Sequence, residues 1–574
     1  MPLVPCRARA LPMALGVAAL VFASACGDDT VSSASDSATG STSAATDTET
    51  GTSTTTETGT ATASGTDSAG ACTPGMTQEC TCESGMGTQE CAADGSGWGA
   101  CECVEAVCGD GVVAGAEECD DGASNADDAG CTSACKVAIC GDGLVHAGVE
   151  VCDDGVNDGS YNGCVDGCGA RGPFCGDGVT NGPEACDDGD DVQGNGCNID
   201  CRESGSEVWT EKYTGRDAGD ARAHGVAVDL DGNVIVVGEQ FVVGEGANMW
   251  IAKFTADGEL LWSQTVIGNG SFADVARGVA VDSDGNYVVV GEFAVEGEDG
   301  NFWVRKMDPG GEEIWTDIYN GPSNLGDSAN AVAIDSYDDI WVVGEEYKLI
   351  GLKNIVVRKY GADGTLIWDD VYDHKAGNDR AHGVAVLSDD TAVVAGSVYE
   401  PIGLADLWVR RYTASGTAYW TKQWDNAAGN DIVRAVARDA DDNVILVGEV
   451  YEPIGLANIW TRKLTDNGIT TWTQVYDSAG SDNDIGRGAA VAPDGTIVIA
   501  GQEYTANDFA AAWVRKLEPA AGDAMWTHVH DGDGAGQDIA RAVAIDPNDG
   551  YIYAAGQEYE AGQFATLWLR KLTP

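Results

Sequence analysis

Residues 220–262 read DARAHGVAVDLDGNVIVVGEQFVVGEGANMWIAKFTADGELLW, and residues 274–315 read DVARGVAVDSDGNYVVVGEFAVEGEDGNFWVRKMDPGGEEIW. The second stretch repeats the first almost position for position, and the succession continues to the last residue. Its most regular marker is a tryptophan: Trp209, Trp262, Trp315, Trp368, Trp420, Trp472 and Trp526 lie 52 to 54 residues apart. A sustained period near 50 is the signature of an array of equivalent supersecondary units. Each unit opens on an aspartate (Asp220, Asp274, Asp327, Asp379, Asp431, Asp484, Asp538) leading into a GVAVD-like strand. A Gly/Asn/Asp turn, a VVG strand, a variable loop, an aromatic-basic strand such as NFWVRKM at 301–307, a second tight turn and the tryptophan strand follow.

Short β-branched and aromatic runs joined by Gly, Asn and Asp turns read as antiparallel meanders. Four strands per unit of this length make one propeller blade. The VVG strand is apolar on both faces, as a sheet sandwiched between two others requires. The seventh unit ends with TLWLRKL at 566–572 and lacks its tryptophan strand, whereas an extra one, VWTEKYT at 207–213, precedes the first unit. Pairing the two would close the ring and leave no sheet edge. The expected fold is therefore all-β: a seven-bladed β-propeller with four antiparallel strands per blade, closed by strand 207–213, behind small disulfide-rich modules and a disordered tether. The repeats resemble bacterial SBBP-type β-propeller repeats over about 206–574; blade three departs, with Val356 where the others carry tryptophan.

The N-terminal third is of different material. Arg7 and Arg9 precede an apolar run from Met13 to Phe22 and then Ala23-Ser24-Ala25-Cys26. A positive start, an apolar stretch too short to span a bilayer and small residues at a cut site make an export signal over 1–25. Apart from Cys6 in that signal, 19 cysteines remain, of which 18 lie between Cys72 and Cys201. Cys26 is left over, and small residues before it resemble a bacterial lipobox, so lipidation of Cys26 is expected. Residues 30–71 are nearly all Ser, Thr, Ala, Gly and acids with no Lys or Arg, a composition that cannot bury a core. Cys26 and this linker (26–71) would tether the rest, attached to the membrane through the lipid alone; an outer-membrane or other cell-surface lipoprotein is expected, with plain secretion as the alternative.

Two cysteine blocks follow. Cys72, Cys80, Cys82, Cys91, Cys101 and Cys103 form a six-cysteine module, 72–104. Three four-cysteine repeats fill 105–205: Cys108, Cys119, Cys131 and Cys135; Cys140, Cys152, Cys164 and Cys168; Cys175, Cys186, Cys197 and Cys201. CGDG and C-DDG recur in each, and the units resemble the Myxococcus cysteine-rich (disulfide) repeats, more loosely the Lin-12/Notch-type modules. An even count behind an export signal predicts disulfides rather than zinc, with connectivity open. Carboxylates concentrate in each repeat: Asp110, Glu118, Asp120 and Asp121; Asp142, Glu150, Asp153 and Asp154; Asp177, Glu184, Asp187 and Asp188. Two readings stand, Ca²⁺ ligands or solvated acidic loops, and the complete EF-hand spacing is absent.

The formal charge of −62 excludes nucleic acid as a partner. No Gly-x-Ser-x-Gly, His-Glu-x-x-His or phosphate loop occurs. His224 and His382 fall at equivalent positions and read as repeat structure, while His528-x-His530 lacks a third ligand. Polar residues that recur around a ring favour structure over chemistry, so the propeller is expected to bind a protein or glycan without catalysing a reaction. The rival is a propeller enzyme acting on an extracellular substrate, either quinoprotein-like or polysaccharide-cleaving. A non-repeating cluster of acids, histidine and arginine in the central channel would favour that rival. Two further expectations concern rings. The seven leading aspartates are expected to pair with Lys253, Lys306, Lys359, Arg411, Lys463, Lys516 and Lys571. Phe241, Tyr347, Tyr399, Tyr451, Tyr504 and Tyr559, at the start of the variable loops, would either meet ligand or staple each loop to its blade.

Overall fold

The computed structural model describes residues 72–574 apart from the short segments 83–84, 104–106, 191, 217–218, 271, 349–351, 376, 401–403, 426–428, 452–455, 479–482, 505–508, 533–535 and 560–563. The expected export signal, Cys26 and the expected linker to residue 71 lie outside the described residues, as do the side chains of Cys82 and Cys103.

Seven four-stranded antiparallel sheets occupy 207–572. Blade one runs Ala221–Val228, Val234–Val242, Gly246–Phe254 and Leu260–Val266 from inner to outer strand. Blades two to six repeat this order. Blade seven is composite: Ile539–Ile545, Ile552–Tyr559 and Ala565–Leu572 take their outer strand, Glu207–Tyr213, from the other end of the array. Trp568 lies opposite Lys212, and Lys571 opposite Trp209. The inner strands of blades seven and one are neighbours, like every other consecutive pair, so the ring is closed as expected.

The second strands are buried on both faces, as in Val234–Gly238. Between blades sit the third-strand tryptophans Trp250, Trp303, Trp408, Trp460, Trp513 and Trp568, at most 2% exposed. Each such ring removes on the order of 200 Å² from water, worth about 5 kcal/mol of transfer free energy. Val356, the exception in blade three, is buried with Phe302 and Tyr360, and Tyr319 packs against the same cluster.

The regularly spaced tryptophans have a different task. Six of the seven indoles reach into the next blade and donate to a carbonyl in the turn before that blade's outer strand. Trp209 reaches Ala256 (3.2 Å), Trp315 Ala362 (3.1 Å) and Trp420 Asp466 (3.0 Å). That turn carries a glycine pressed on the ring, and a Cβ at Gly364 would fall 2.7 Å from Trp315. Blade seven has no such turn, because its third and outer strands come from opposite ends of the array. Gly205, with φ +75°, lies on Trp526 instead, and the Trp526 Nε1 is buried without a hydrogen-bond partner. The entry to the propeller thus fills the place of the missing turn.

The expected pairing of leading aspartates with the basic ring is overturned. Lys253 pairs with Asp229 (2.9 Å), Lys306 with Asp282 (2.8 Å), Lys359 with Asp335 (2.8 Å) and Lys463 with Asp439 (2.8 Å). These are the aspartates that end the inner strand. First and third strands of a meander run parallel, so the lysine near the end of the third meets the end of the first. The leading aspartates sit at the opposite rim and bind backbone. Asp274 accepts from Ala294 N (2.7 Å) and Gly268 N (2.6 Å), and Asp484 from Tyr504 N (2.9 Å) and Ser478 N (2.6 Å). Burial outweighs these N–H bonds and raises Asp274, Asp379, Asp484 and Asp538 above the ordinary carboxylate range, and Asp327 to about 6.

In the cysteine repeats the first cysteine pairs with the fourth and the second with the third: Cys108–Cys135 with Cys119–Cys131, Cys140–Cys168 with Cys152–Cys164, and Cys175–Cys201 with Cys186–Cys197. Cys72–Cys91 and Cys80–Cys101 staple the first module. Among the described residues, the buried side chains of the repeats are cysteines together with Thr132, Asn157 and Asn198, and no large apolar residue joins them. The third repeat is hydrogen-bonded to the propeller, where Tyr551 donates to Asp200 (3.2 Å) and Thr573 to the Glu203 carbonyl (2.7 Å).

Candidate functional site

Each inner strand carries a β-bulge. In blade two Ala276 lies opposite Gly291 and Gly278 opposite Val290, which leaves Arg277 unpaired between them. The same extra residue occurs in every blade: His224, Asn330, His382, Arg434, Arg487 and Arg541. A bulge re-aims the side chain of its extra residue. Here all seven converge to line one cavity of about 170 Å³ at the centre of the ring.

The glycine ending each VVG strand makes the bulge possible. A Cβ on Gly291 would collide with the Val275 carbonyl oxygen, and one on Gly448 with the Ile432 carbonyl. Gly448→Ala is expected to cost about 1–3 kcal/mol through that overlap, read as a lowered melting temperature with Arg434 displaced. An unchanged melt would show that the bulge does not require glycine.

The residue after that glycine stands behind the channel ring. It is Glu239, Glu292, Glu345, Ser397, Glu449, Gln502 and Gln557 in blades one to seven. Arg434 is held by both oxygens of Glu449 (2.7 and 2.8 Å) and Arg277 by Glu292 (3.0 Å). Asn330 donates to Glu345, which also takes Lys353 (2.9 Å). Glu239 accepts from Arg222 (2.9 Å) and lies 3.6 Å from His224. Burial and the surrounding guanidinium groups keep both histidines neutral, His224 titrating at about 4 and His382 at about 3. Arg487 and Arg541 meet only amides in this layer, each forking onto one glutamine oxygen, Gln502 or Gln557 (2.7 and 3.1 Å in both).

The expectation of the same polar residue around the axis does not hold at this ring. Arginine, histidine and asparagine alternate irregularly among otherwise equivalent blades. His224 and His382, read from sequence as repeat structure, are both members. The legible but unused signal was the interior glycine of each VVG strand, which marks a bulge.

The other expected positions have structural partners. Tyr399, Tyr451 and Tyr559 pack on Gly377, Gly429 and Gly536 of the neighbouring loop. The backbone N–H groups of Tyr347, Tyr399, Tyr451, Tyr504 and Tyr559 donate to the leading aspartates. Phe241 stays 44% exposed. In the cysteine repeats, Asp120 accepts from the N–H groups of Gly109 (3.0 Å), Asp110 (3.1 Å) and Gly122 (2.7 Å), and Asp153 and Asp187 repeat this pattern. Partial burial works against their ionisation, but the N–H bonds prevail and hold all three below the usual carboxylate range. Asp110, Asp142 and Asp177 close local turns onto Val112, Leu144 and Val179, while Asp154 and Asp188 accept from the N–H of Cys164 and Cys197. Three acid clusters form around them: Glu117, Asp120 and Cys135; Glu150, Asp153 and Cys168; Glu184, Asp187 and Cys201. Each sulfur is committed to a disulfide, and the glutamate of the first cluster is Glu117; Glu118 pairs with Lys136 instead. Asp121 joins none of these clusters. His530 faces Glu558 (3.3 Å), and no described metal-type cluster includes a histidine.

Residues 88–136 match a domain of unknown function, DUF4215. No curated protein matches the chain. Among solved structures the chain is similar to a protein of unknown function from Dyadobacter fermentans (12% identity, 64% of this chain and 98% of that one, TM-score 0.37) and to the polysaccharide lyase Uly1 (9% identity, 63% and 92%, TM-score 0.39). Sequence and structure together therefore identify a DUF4215-type cysteine-rich segment ahead of a closed seven-bladed propeller.

Proposed function

We propose that this chain is an exported, lipid-anchored cell-surface protein that displays its propeller as a binding head, with ligand entering the central channel. The observation that carries the binding reading is the ring of seven bulge residues. Side chains needed only for packing would repeat with the blades, whereas these change identity around the ring (arginine in four blades, histidine in two, asparagine in one) and face a solvent-reachable cavity. Export is supported by eight described disulfides, which persist in oxidising compartments. No helix among the described residues is long and apolar enough to cross a membrane. The anchor would then be a lipid on Cys26.

The same ring favours a second reading, an enzyme acting on an extracellular substrate, because two histidines and four arginines gather there in no regular order. Binding is preferred because the ring itself holds no serine, cysteine or carboxylate to act as nucleophile or base, and its histidines, which take up a proton only at unusually low pH, are weak bases.

The test is a glycan and protein-ligand array probed with the full exported chain and with Arg277→Gln/Arg434→Gln. Retention of a ligand by the wild type and its loss in a folded variant is the expected result. A ligand retained equally by both would place binding elsewhere on the protein. Mass spectrometry of the mature N-terminus should find diacylated Cys26, and an unmodified residue there would remove the anchor.

A further inference from the structure

Blades six and seven differ from the others in one respect that bears on charge. Behind their arginines stand Gln502 and Gln557, where blades one, two, three and five carry glutamate. The cations of those four blades have acidic partners: Arg222 with Glu239, Arg277 with Glu292, Lys353 with Glu345, and Arg434 with Glu449. Among the described residues Arg487 and Arg541 make no ion pair within 4 Å. Each spends Nε and Nη2 on a glutamine oxygen, and neither Nη1 group has a described partner.

Two neighbouring guanidinium groups facing one narrow cavity repel each other and lose hydration. Burial, followed by the charge of nearby arginines, lowers Arg487 to about 9 and Arg541 to about 10. Leaving buried like charges uncompensated is costly. The arrangement is the more notable in a chain of net charge −62, where acids are available almost everywhere else. A ligand that brings its own negative charge would remove the cost.

We propose that the Arg487–Arg541 sector of the central channel is an oxyanion subsite, recognising a carboxylate, phosphate or sulfate group through the two Nη1 groups. The inference rests on the reading of the channel as the ligand site and names the chemistry of the group that enters it. A cavity of about 170 Å³ fits one such group, either as a free ion or as the terminus of a larger molecule that extends out of the channel. Guanidinium is suited to this role because its planar donors match oxyanion geometry. Arg434 and Arg277 remain committed to their glutamates and act as walls. His224 and His382, both uncharged, add polarity without competing for the anion.

The decisive variant restores the pattern of the other blades. Gln502→Glu/Gln557→Glu supplies each arginine with the carboxylate its equivalents already have, so it is expected to fold and to melt higher than the wild type in chloride. Calorimetric titration of the full exported chain with inorganic phosphate and, separately, with acetate, at ionic strength matched with sodium chloride, reads the site. Saturable binding of at least one anion by the wild type, weakened at least tenfold in Gln502→Glu/Gln557→Glu and in Arg487→Gln/Arg541→Gln, is the expected result. Preference for phosphate would point to a tetrahedral dianion and preference for acetate to a carboxylate. Equal binding by all three proteins would overturn the proposal, as would no binding beyond chloride. If neither anion binds and an array ligand still requires Arg277 and Arg434, the oxyanion subsite falls while the binding head stands.

Discussion

Removal of residues 206–214 is expected to abolish the single cooperative melt of the propeller. These residues supply the whole outer strand of blade seven, whose register couples Tyr213 to Leu567 and Trp209 to Lys571. Without them the Ala565–Leu572 strand becomes an unpaired edge. Trp209 also packs against Tyr553, with ring centroids 6.0 Å apart, and its indole holds the Ala256 turn of blade one. Tyr213 stacks on Trp250 at 4.6 Å, so the deletion strips one face of a buried tryptophan in the next blade. Six paired positions at about 1 kcal/mol per net hydrogen bond, together with the half-buried Trp209, amount to at least about 5 kcal/mol, comparable to the whole stability of a modest domain. A melting temperature lowered by 10 °C or more, or a broad transition, should be seen by circular dichroism. Trp209→Ala alone should cost about 2–3 kcal/mol, below the full-burial range because the residue is only partly buried. A truncated chain that melts where the intact one does would mean that closure contributes no stability.

The second large effect is expected from reductant, and it should be confined to one part of the chain. Every cysteine lies at or before Cys201, so the propeller contains none. Among their described residues the cysteine repeats bury disulfides and a few small polar residues but no large apolar side chain. Staples worth about 2–4 kcal/mol each therefore supply most of what keeps these repeats folded. Dithiothreitol should make residues 72–201 susceptible to limited proteolysis while 207–572 remains resistant and keeps its β spectrum. The contacts from Asp200 and Glu203 to Tyr551 and Thr573 would be lost, at a cost of a few degrees at most. Simultaneous unfolding of both regions would show that the propeller depends on the stapled repeats.

Several features were legible before any coordinates because they depend on spacing alone. The tryptophan period, the two-faced apolar VVG strands and the displaced strand 207–213 specify seven blades and their closure, since a strand missing at one end and surplus at the other has one economical pairing. An even cysteine count between Cys72 and Cys201 likewise points to disulfides. Partner choice was not legible. Five of the seven blades carry two aspartates, at the start and at the end of the inner strand, and periodicity cannot say which of them Lys253 or Lys306 meets. The parallel course of the first and third strands decides it, and assigns the lysines to Asp229 and Asp282. Cysteine pairing was open for the same reason, because four cysteines in a line allow three connectivities.

The channel was the deepest omission. In a flat alignment His224, Arg277 and Asn330 look like noise at a variable position of a strand, and Gln502 and Gln557 look like conservative exchanges for glutamate. A regular strand would send that residue to a neighbouring blade. The bulge, admitted by a glycine without a Cβ, turns it toward the axis, and closure of the ring brings seven such residues from about 320 residues of chain around one cavity. Sequence by itself determined the strands, their number and the end-to-end pairing, because those follow from local patterns repeated in one dimension. Tertiary structure alone decided which charges compensate each other and which two arginines are left facing the axis, because those depend on distances set only when the ring closes.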